Sequence, residues 1–515
     1  MEILNLLNSA DVAVGVFGQT YDVYLNLIGK IIRFLITGVG AVGVGIILFS
    51  LVLKLIVMPF DVYQRIAMRK QNRLMKENQA RMEKLQKQYG NDKEKYNQKL
   101  MEMYKENGIN MFSSCLPMIL SMVIFFIAIG AFNAYSQYSN IENYNTMVNA
   151  YNAKMESYCA DLTVDNIDFN GSVFTVKDEV NADKYIYYTV SIGADDVIGE
   201  TKEEQLAYLS AVNNSAKAYK INVEKAYANE EIKAIVDKAV LDAIEAQKVK
   251  AENAAEGEEI SAELTMEEKT AVAQNAIKNY FTAQAQEAVL YAYDTEVIKH
   301  TKFLWIKNIW VTDAAYKHPV LPYADFKAEI QREKFEVNGE KVGLADVTNY
   351  TDAYKLETYD IVTGGLSEHK SEANGWFILI ALSILTILLQ QWVTNRAQKE
   401  QQQFSTADGQ GASQQKTMMI VMTGMFAVFS FMYSSAFSIY MITSNIFALI
   451  STLVINKVVD VVENKKEAQR EQEKYNKRFP NRGQNNKTDN SKKTEKVEKS
   501  EKSDKEDKSD KKNNK

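Results

Sequence analysis

One cation stands inside an otherwise uncharged apolar run. Residues 34–58, FLITGVGAVGVGIILFSLVLKLIVM, carry Lys54 and no other charge. An ammonium at the centre of a membrane helix costs roughly 2.5–3.5 kcal/mol, so it needs a route to water. Lys54 lies five residues before Pro59, about 7 Å along a helix axis. Two readings stay open: the side chain snorkels to the headgroups, or it sits in a polar groove in the inner leaflet. Uncharged polar residues in the other apolar runs are candidates to line such a groove: Ser121, Gln390, Gln391, Ser438, Tyr440, Thr443, Ser444 and Asn445. A cation held there would attract carboxylates rather than transform them.

Other chemistry is poorly supplied. The three histidines, His300, His318 and His369, lack the i, i+4 spacing that places two ligands on one helix face. Gly38 to Gly43 spell a dinucleotide fingerprint, but inside an apolar run with no preceding strand; small residues there suit close helix packing. No phosphate-loop lysine motif occurs, so ATP is not expected to power the protein. Cys115 and Cys159 fall on opposite sides of the expected membrane and are read as free thiols. No catalytic residue, cofactor or metal is expected, and the chain does not read as an enzyme.

The elements that carry these residues follow from apolar runs and charge. The 515 residues hold a net charge of −6, but that sum hides +5 over 61–111, −17 over 136–371 and +7 over 464–515. Between them lie five runs of 18 or more residues, at 34–58, 112–135, 376–393, 417–434 and 436–455. Each is long enough to cross most of a hydrocarbon core of about 30 Å. The basic 61–111 segment belongs inside by the positive-inside rule, which puts the N-terminus out and the C-terminus in. Trp376 and Trp392 bracket the third run as interfacial residues do. The acidic start of the chain does not read as a cleavable signal. The expected organisation is an external segment 1–35 with an amphipathic helix at 25–35, a first span at 36–60, and a second at 112–135. The third, fourth and fifth spans are placed at 376–393, 417–434 and 436–455, with a cytoplasmic loop at 394–416.

Residues 61–111 read as a cytoplasmic helical hairpin, 62–89 and 93–107, broken at Gly90-Asn91-Asp92. Met68, Met75, Met82 and Met103 either glue its helices or offer an adaptable surface to apolar clients. Residues 136–371 read as an external acidic α+β insert. It has strand-like alternation near 160–200 and helices over 202–300, with Ile232, Ile235, Val236, Val240 and Ile244 on one face. The tail from 464 is expected to be disordered. The fold class is thus an all-α polytopic membrane protein with five transmembrane helices, a cytoplasmic hairpin and an external α+β insert.

Several stretches resemble the YidC family of bacterial membrane protein insertases. They are LVLKLIVMPFDVYQRIAMRKQNRLMKENQARMEKLQKQYGND, YKENGINMFSSCLPMILSMVIFF, FLWIKNIW, ILTILLQQ, QQKTMMIVMTGMF and SIYMITSNIFALISTLVINK. The resemblance implies a cationic groove open to the cytoplasm and lipid but closed outside. A client's hydrophilic segment would enter it while the client's apolar helix slides along the first, third and fifth spans into a bacterial plasma membrane. It implies nascent membrane proteins as partners, the Sec translocase among further partners, and ribosomes met by the basic tail. Lys54 stands where the family usually has arginine, keeping the charge without the planar fork. Met111, Thr423 and Tyr433-Ser434-Ser435-Ala436 replace the family's usual prolines and turn. A channel or transporter, and an external sensor on a five-helix anchor, are the competing readings. No inverted repeat or acidic coupling site favours the first, and the basic hairpin has no use in the second.

Overall fold

The computed structural model describes residues 12–15, 18–107, 112–193, 196–253, 261–397 and 410–478. They fall into two units, Met1–Leu55 with Ile119–Leu389 and Lys416–Ile446, and Ile56–Met118 with Gln390–Gln415 and Phe447–Lys515.

In the first unit a short strand, β1 (Val12–Ala13), precedes helix α1 (Leu27–Val39). Asn26 caps α1 by accepting the Gly29 N–H at 2.8 Å, and Gly40 ends it at φ +70°, a backbone conformation that costs glycine little. Helix α2 (Val42–Glu77) starts only after this break. The 34–58 run is therefore not one helix: residues 36–39 carry the amphipathic helix past its expected end at 35. The glycines serve close packing. A methyl on Gly45 would fall 2.6 Å from the Ile36 Cα, and one on Gly43 would strike the Phe303 ring.

Helix α2 runs through Pro59 without ending, so the expected border between span and hairpin lies inside one helix. Its end at Glu77 divides the helix expected over 62–89: Asn78 turns its side chain back to the Leu74 carbonyl at 2.8 Å, and α3 (Gln79–Tyr89) begins after it. Asp92 then caps α4 (Lys93–Glu106) by accepting from the Lys95 N–H.

Helix α5 (Phe112–Ser157) runs 46 residues without interruption. Beyond it β2 (Ile167–Phe169), β3 (Val173–Val176) and β4 (Ile186–Ser191) form an antiparallel meander. Helix α6 (Lys202–Ala211) leads to β5 (Lys217–Ile221), and β1 closes the sheet in the order β1-β5-β4-β3-β2. Helices α7 (Glu230–Glu252) and α8 (Met266–Ala292) follow. On α7, Ile232, Val236 and Val240 are buried, but Ile235 is 40% exposed; it stands about 100° around the helix from Val236 and leaves the expected face. Helix α9 (Tyr323–Ile330) and the hairpin β6 (Phe335–Val337) with β7 (Glu340–Val342) complete this part. Three further helices are α10 (Ile378–Ala397), α11 (Gln410–Met432) and α12 (Ser435–Arg478).

Two expectations change. The 136–371 segment reads in sequence as an insert set apart from the spans, but among the described residues one buried cluster continues from Phe174 and Ile186 through Tyr144 and Phe326 to Phe132 and Phe437. The tail is helical from 464 to Arg478. No glycine or proline interrupts 435–478, and its Glu, Lys, Gln and Arg are strong helix formers. Pro480 removes a helical N–H just beyond; residues past 478 lie outside the described part. Cys159 is buried and free, and burial pushes its thiol up to about 12, which keeps it unreactive. The Cys115 side chain lies outside the described residues.

Four helices among the described residues are long and apolar enough to cross a membrane: Val42–Ala67, Met122–Ser157, Ile378–Arg396 and Ser435–Arg478. Thr423–Met432 is a shorter apolar helix.

Candidate functional site

The first half of α2 buries one stripe. Val42, Ile46, Phe49 and Ser50 are buried, as is Val57, while Val44, Leu48, Val52, Leu55 and Ile56 are exposed. Lys54 is four residues past Ser50 and three before Val57, so helical periodicity places it on the buried stripe. It is half-buried. The apolar residues beside it, Leu55 and Ile56, take the exposed face.

Within the first unit, α12 presents the complementary polar set. Ser438, Tyr440, Ser444 and Asn445 are buried, and Thr443 is half-buried. Asn445 donates to Thr386 of α10 at 3.3 Å, and Ser383 of α10 meets Ser430 of α11 at 2.9 Å. The Ser438 hydroxyl is buried with no hydrogen-bond partner among the described residues. Thr386 and Ser383 escaped the sequence reading; Thr386 lies one turn before Gln390, and that spacing was the available signal. Gln390 and Gln391 fall in the second unit, and the Ser121 side chain lies outside the described residues.

Aromatic rings close one end of this polar level. Phe49 meets Phe132 edge-on at 5.3 Å, and Phe132 meets Tyr440 at 5.2 Å. Phe437 joins Tyr440 at 5.9 Å, and Phe125 links Phe437 to Phe426. Lys54 follows Phe49 by five residues, and Asn445 follows Tyr440 by five, each about 7.5 Å further along its helix.

Past the rings lies a polar hub built from residues 308–313. Asn308 donates to Pro319 O and Asn140 Oδ1, and its N–H bonds the Asn374 side chain at 2.7 Å. Asn374 reaches back to the Asn308 and Thr312 carbonyls. Ser136 of α5 donates to Trp310 O, and Ser435, at the start of α12, donates to Val311 O. Thr312 donates to Tyr433 O. The fully buried Asp313 carboxylate accepts the N–H groups of Trp376, Phe377 and Leu379 at 2.7, 3.2 and 2.6 Å. It caps α10 from a distant loop, which satisfies donors that a helix start leaves free and favours the dipole. One loop thereby ties α5, α10 and the α11–α12 junction together.

The second unit has a smaller centre. Met82, Met103 and Tyr104 are buried together, with Leu74, Leu85 and Leu100 around them, and the Tyr104 hydroxyl reaches the Met82 sulfur at 3.8 Å. Arg81 pairs with Glu106 across the two helices. Of the four methionines read either as glue for the hairpin or as a surface for clients, Met82 and Met103 face this seam and expose almost nothing. The side chains of Met68 and Met75 lie outside the described residues. Further along α2, Arg65 forks to Asn456 and Thr452 of α12, and Arg69 pairs with Asp460.

Comparison with known proteins agrees with this architecture. The model of the 60Kd inner membrane protein family matches residues 34–190 and 280–465. That match includes both flanks of the segment expected as an insert and leaves 191–279 outside it. Three curated relatives are each named membrane protein insertase YidC. The protein of Caldanaerobacter subterraneus is 39% identical over 97 residues, 19% of this chain and 45% of the relative. That of Clostridium perfringens is 41% identical over 92 residues, 18% and 37%, and that of Fusobacterium nucleatum 33% over 109 residues, 20% and 51%. The match thus spans about half the length of these relatives or less. No solved structure matches the chain. With a family match over more than half its length and apolar helices fit to cross a membrane, the chain is a multi-pass bacterial membrane protein and belongs to the YidC, or 60Kd inner membrane protein, family.

Proposed function

We propose that this chain is a membrane protein insertase working by a cationic half-membrane groove. The observation that carries the reading is Lys54. It is a half-buried cation on the buried stripe of an apolar helix, and Thr443, Ser444 and Asn445 of α12 follow Tyr440, which the Phe132 ring links to Phe49. The relatives' printed name, membrane protein insertase YidC, supports the same reading.

The physics is that of a shortened barrier. A polar client segment entering a wet groove crosses less low-dielectric path than one crossing bare lipid. Lys54 would attract acidic residues of that segment, while the aromatic stack and the 308–313 hub seal the other end. The client's apolar helix would slide along the first, third and fifth spans. No group in this scheme forms or breaks a bond, and no nucleotide is needed. In this reading the run at 417–434 completes five spans, with the N-terminus outside, the hairpin and C-terminus cytoplasmic, and the sheet-bearing part external. Gln390, Gln391 and Ser121 remain lining candidates on the sequence alone. Met68 and Met75 meet the client at the hairpin. Nascent membrane proteins are the clients, the basic tail meets ribosomes, and the Sec translocase is a partner.

The test uses purified protein in vesicles and a client with an acidic translocating tail. Lys54→Arg keeps insertion near the unmodified level; Lys54→Ala lowers it by roughly fivefold, the equivalent of about 1 kcal/mol for a solvated charge pair. Equal insertion by the alanine variant removes Lys54 from the mechanism.

A further inference from the structure

The second unit holds a feature that a client path does not require: a polar stitch along the seam between α2 and α12. The Arg65 guanidinium donates from one nitrogen to Asn456 Oδ1 at 2.7 Å and from another to Thr452 Oγ1 at 2.6 Å. Those acceptors lie four residues apart, one turn of α12, so the planar fork fits one register of the two helices. Thr452 is buried and spends its own hydrogen on the Ala448 carbonyl, leaving its oxygen to accept. Arg69 and Asp460 repeat the contact as an ion pair. Both partners have moved on by four residues, from 65 to 69 and from 456 to 460, as parallel helices in register require. Ile455 and Val459 are buried on the same stripe of α12, while Leu453, Val454, Val458, Val461 and Val462 are exposed.

We propose that this seam stays shut throughout insertion, that Arg65 and Arg69 are positioning residues which hold it, and that the client helix leaves the protein elsewhere. The inference rests on the insertase reading. Opening the seam strips Arg65 of two acceptors at once and separates Arg69 from Asp460. An apolar client helix passing between α2 and α12 offers nothing to replace them, and Thr452, which is buried, would be left beside a guanidinium whose fork has lost both its acceptors. The fork makes the seam a fixed edge of the bundle.

Chemical bridging tests this directly. In a chain carrying Cys115→Ser and Cys159→Ser, Arg65→Cys and Asn456→Cys are joined by a short bis-maleimide, and client insertion is measured before and after. The stitch predicts weakened insertion before bridging and a recovery of about threefold or more after it, because the bridge replaces the lost contact. Insertion that falls, or does not rise, on bridging overturns the proposal. A second arm exchanges the ion pair: Arg69→Asp and Asp460→Arg each lower insertion and their combination restores it, whereas a combination no better than either single change overturns the stitch. Unmodified protein that fails to insert in the same vesicles refutes the insertase reading; thermal unfolding of the Arg65→Cys, Asn456→Cys chain before and after bridging then reads the seam by itself, and a midpoint that bridging does not raise overturns the stitch.

Discussion

The hub around residues 308–313 and the hairpin of α3 and α4 are held in opposite ways. The hub joins segments far apart in sequence by buried, directional bonds: Ser136, Asn374, Tyr433 and Ser435 all converge on one loop. The hairpin joins neighbours in sequence through three buried side chains and an exposed ion pair. Buried polar networks are costly to break because each lost partner leaves a desolvated group behind. A small apolar seam yields by degrees. Under the proposed insertase reading, the hub would serve as the seal and the hairpin as the arm that receives a client.

The contrast is broken most severely at Asp313. Asp313→Ala strands three N–H groups at the start of α10 and is expected to cost about 3 kcal/mol or more, read as loss of the folded, detergent-soluble protein in thermal unfolding. A variant as stable as the unmodified chain would mean the hub is not a structural seal. Met82→Ala comes next, at about 2–3 kcal/mol, but its effect stays local. Hydrogen exchange should rise across α3 and α4 and stay unchanged in β2 to β5. Exchange rising in both places would show that the hairpin is not independent.

A third change sharpens the electrostatics of the sheet-bearing part. Burial pushes the Glu329 carboxyl up to about 8, and the Asn140 side chain donates to it. The folded state therefore holds this proton more tightly than the unfolded chain, whose carboxyl releases it at the ordinary value near 4.5. Stability falls as pH rises between those values and levels off above about 8. Glu329→Gln should flatten that slope in thermal unfolding followed across pH; an unchanged slope assigns the dependence to other groups. The smallest effect is expected from deleting 479–515, which should weaken salt-sensitive co-sedimentation with ribosomes without altering stability. Undiminished binding would free the tail of that role.

What the sequence made legible was local. The apolar runs, the hairpin break at Gly90-Asn91-Asp92 and Lys54 stand out because each is defined by its immediate neighbours. The 12–13 strand did not stand out, since its partner β5 lies some two hundred residues on and two residues carry no periodicity. The hub stayed invisible for the same reason: Asn308, Asp313 and Asn374 look like loop residues until folding brings them together. The end of α1 at Gly40 was masked by the apolar run that crosses it, and charge content hid the helicity of 464–478. The methionine spacing was visible, but spacing alone does not tell a seam from a client surface; burial assigned Met82 and Met103 to the seam.

The most direct measurement is rescue of a bacterium depleted of its own insertase, with the amount of each chain in the membrane checked in parallel. The full-length chain and Lys54→Arg should both restore growth and client insertion, and Lys54→Ala should not. Failure of the full-length chain despite normal membrane integration, or equal rescue by Lys54→Ala, would contradict an insertase built around the Lys54 charge.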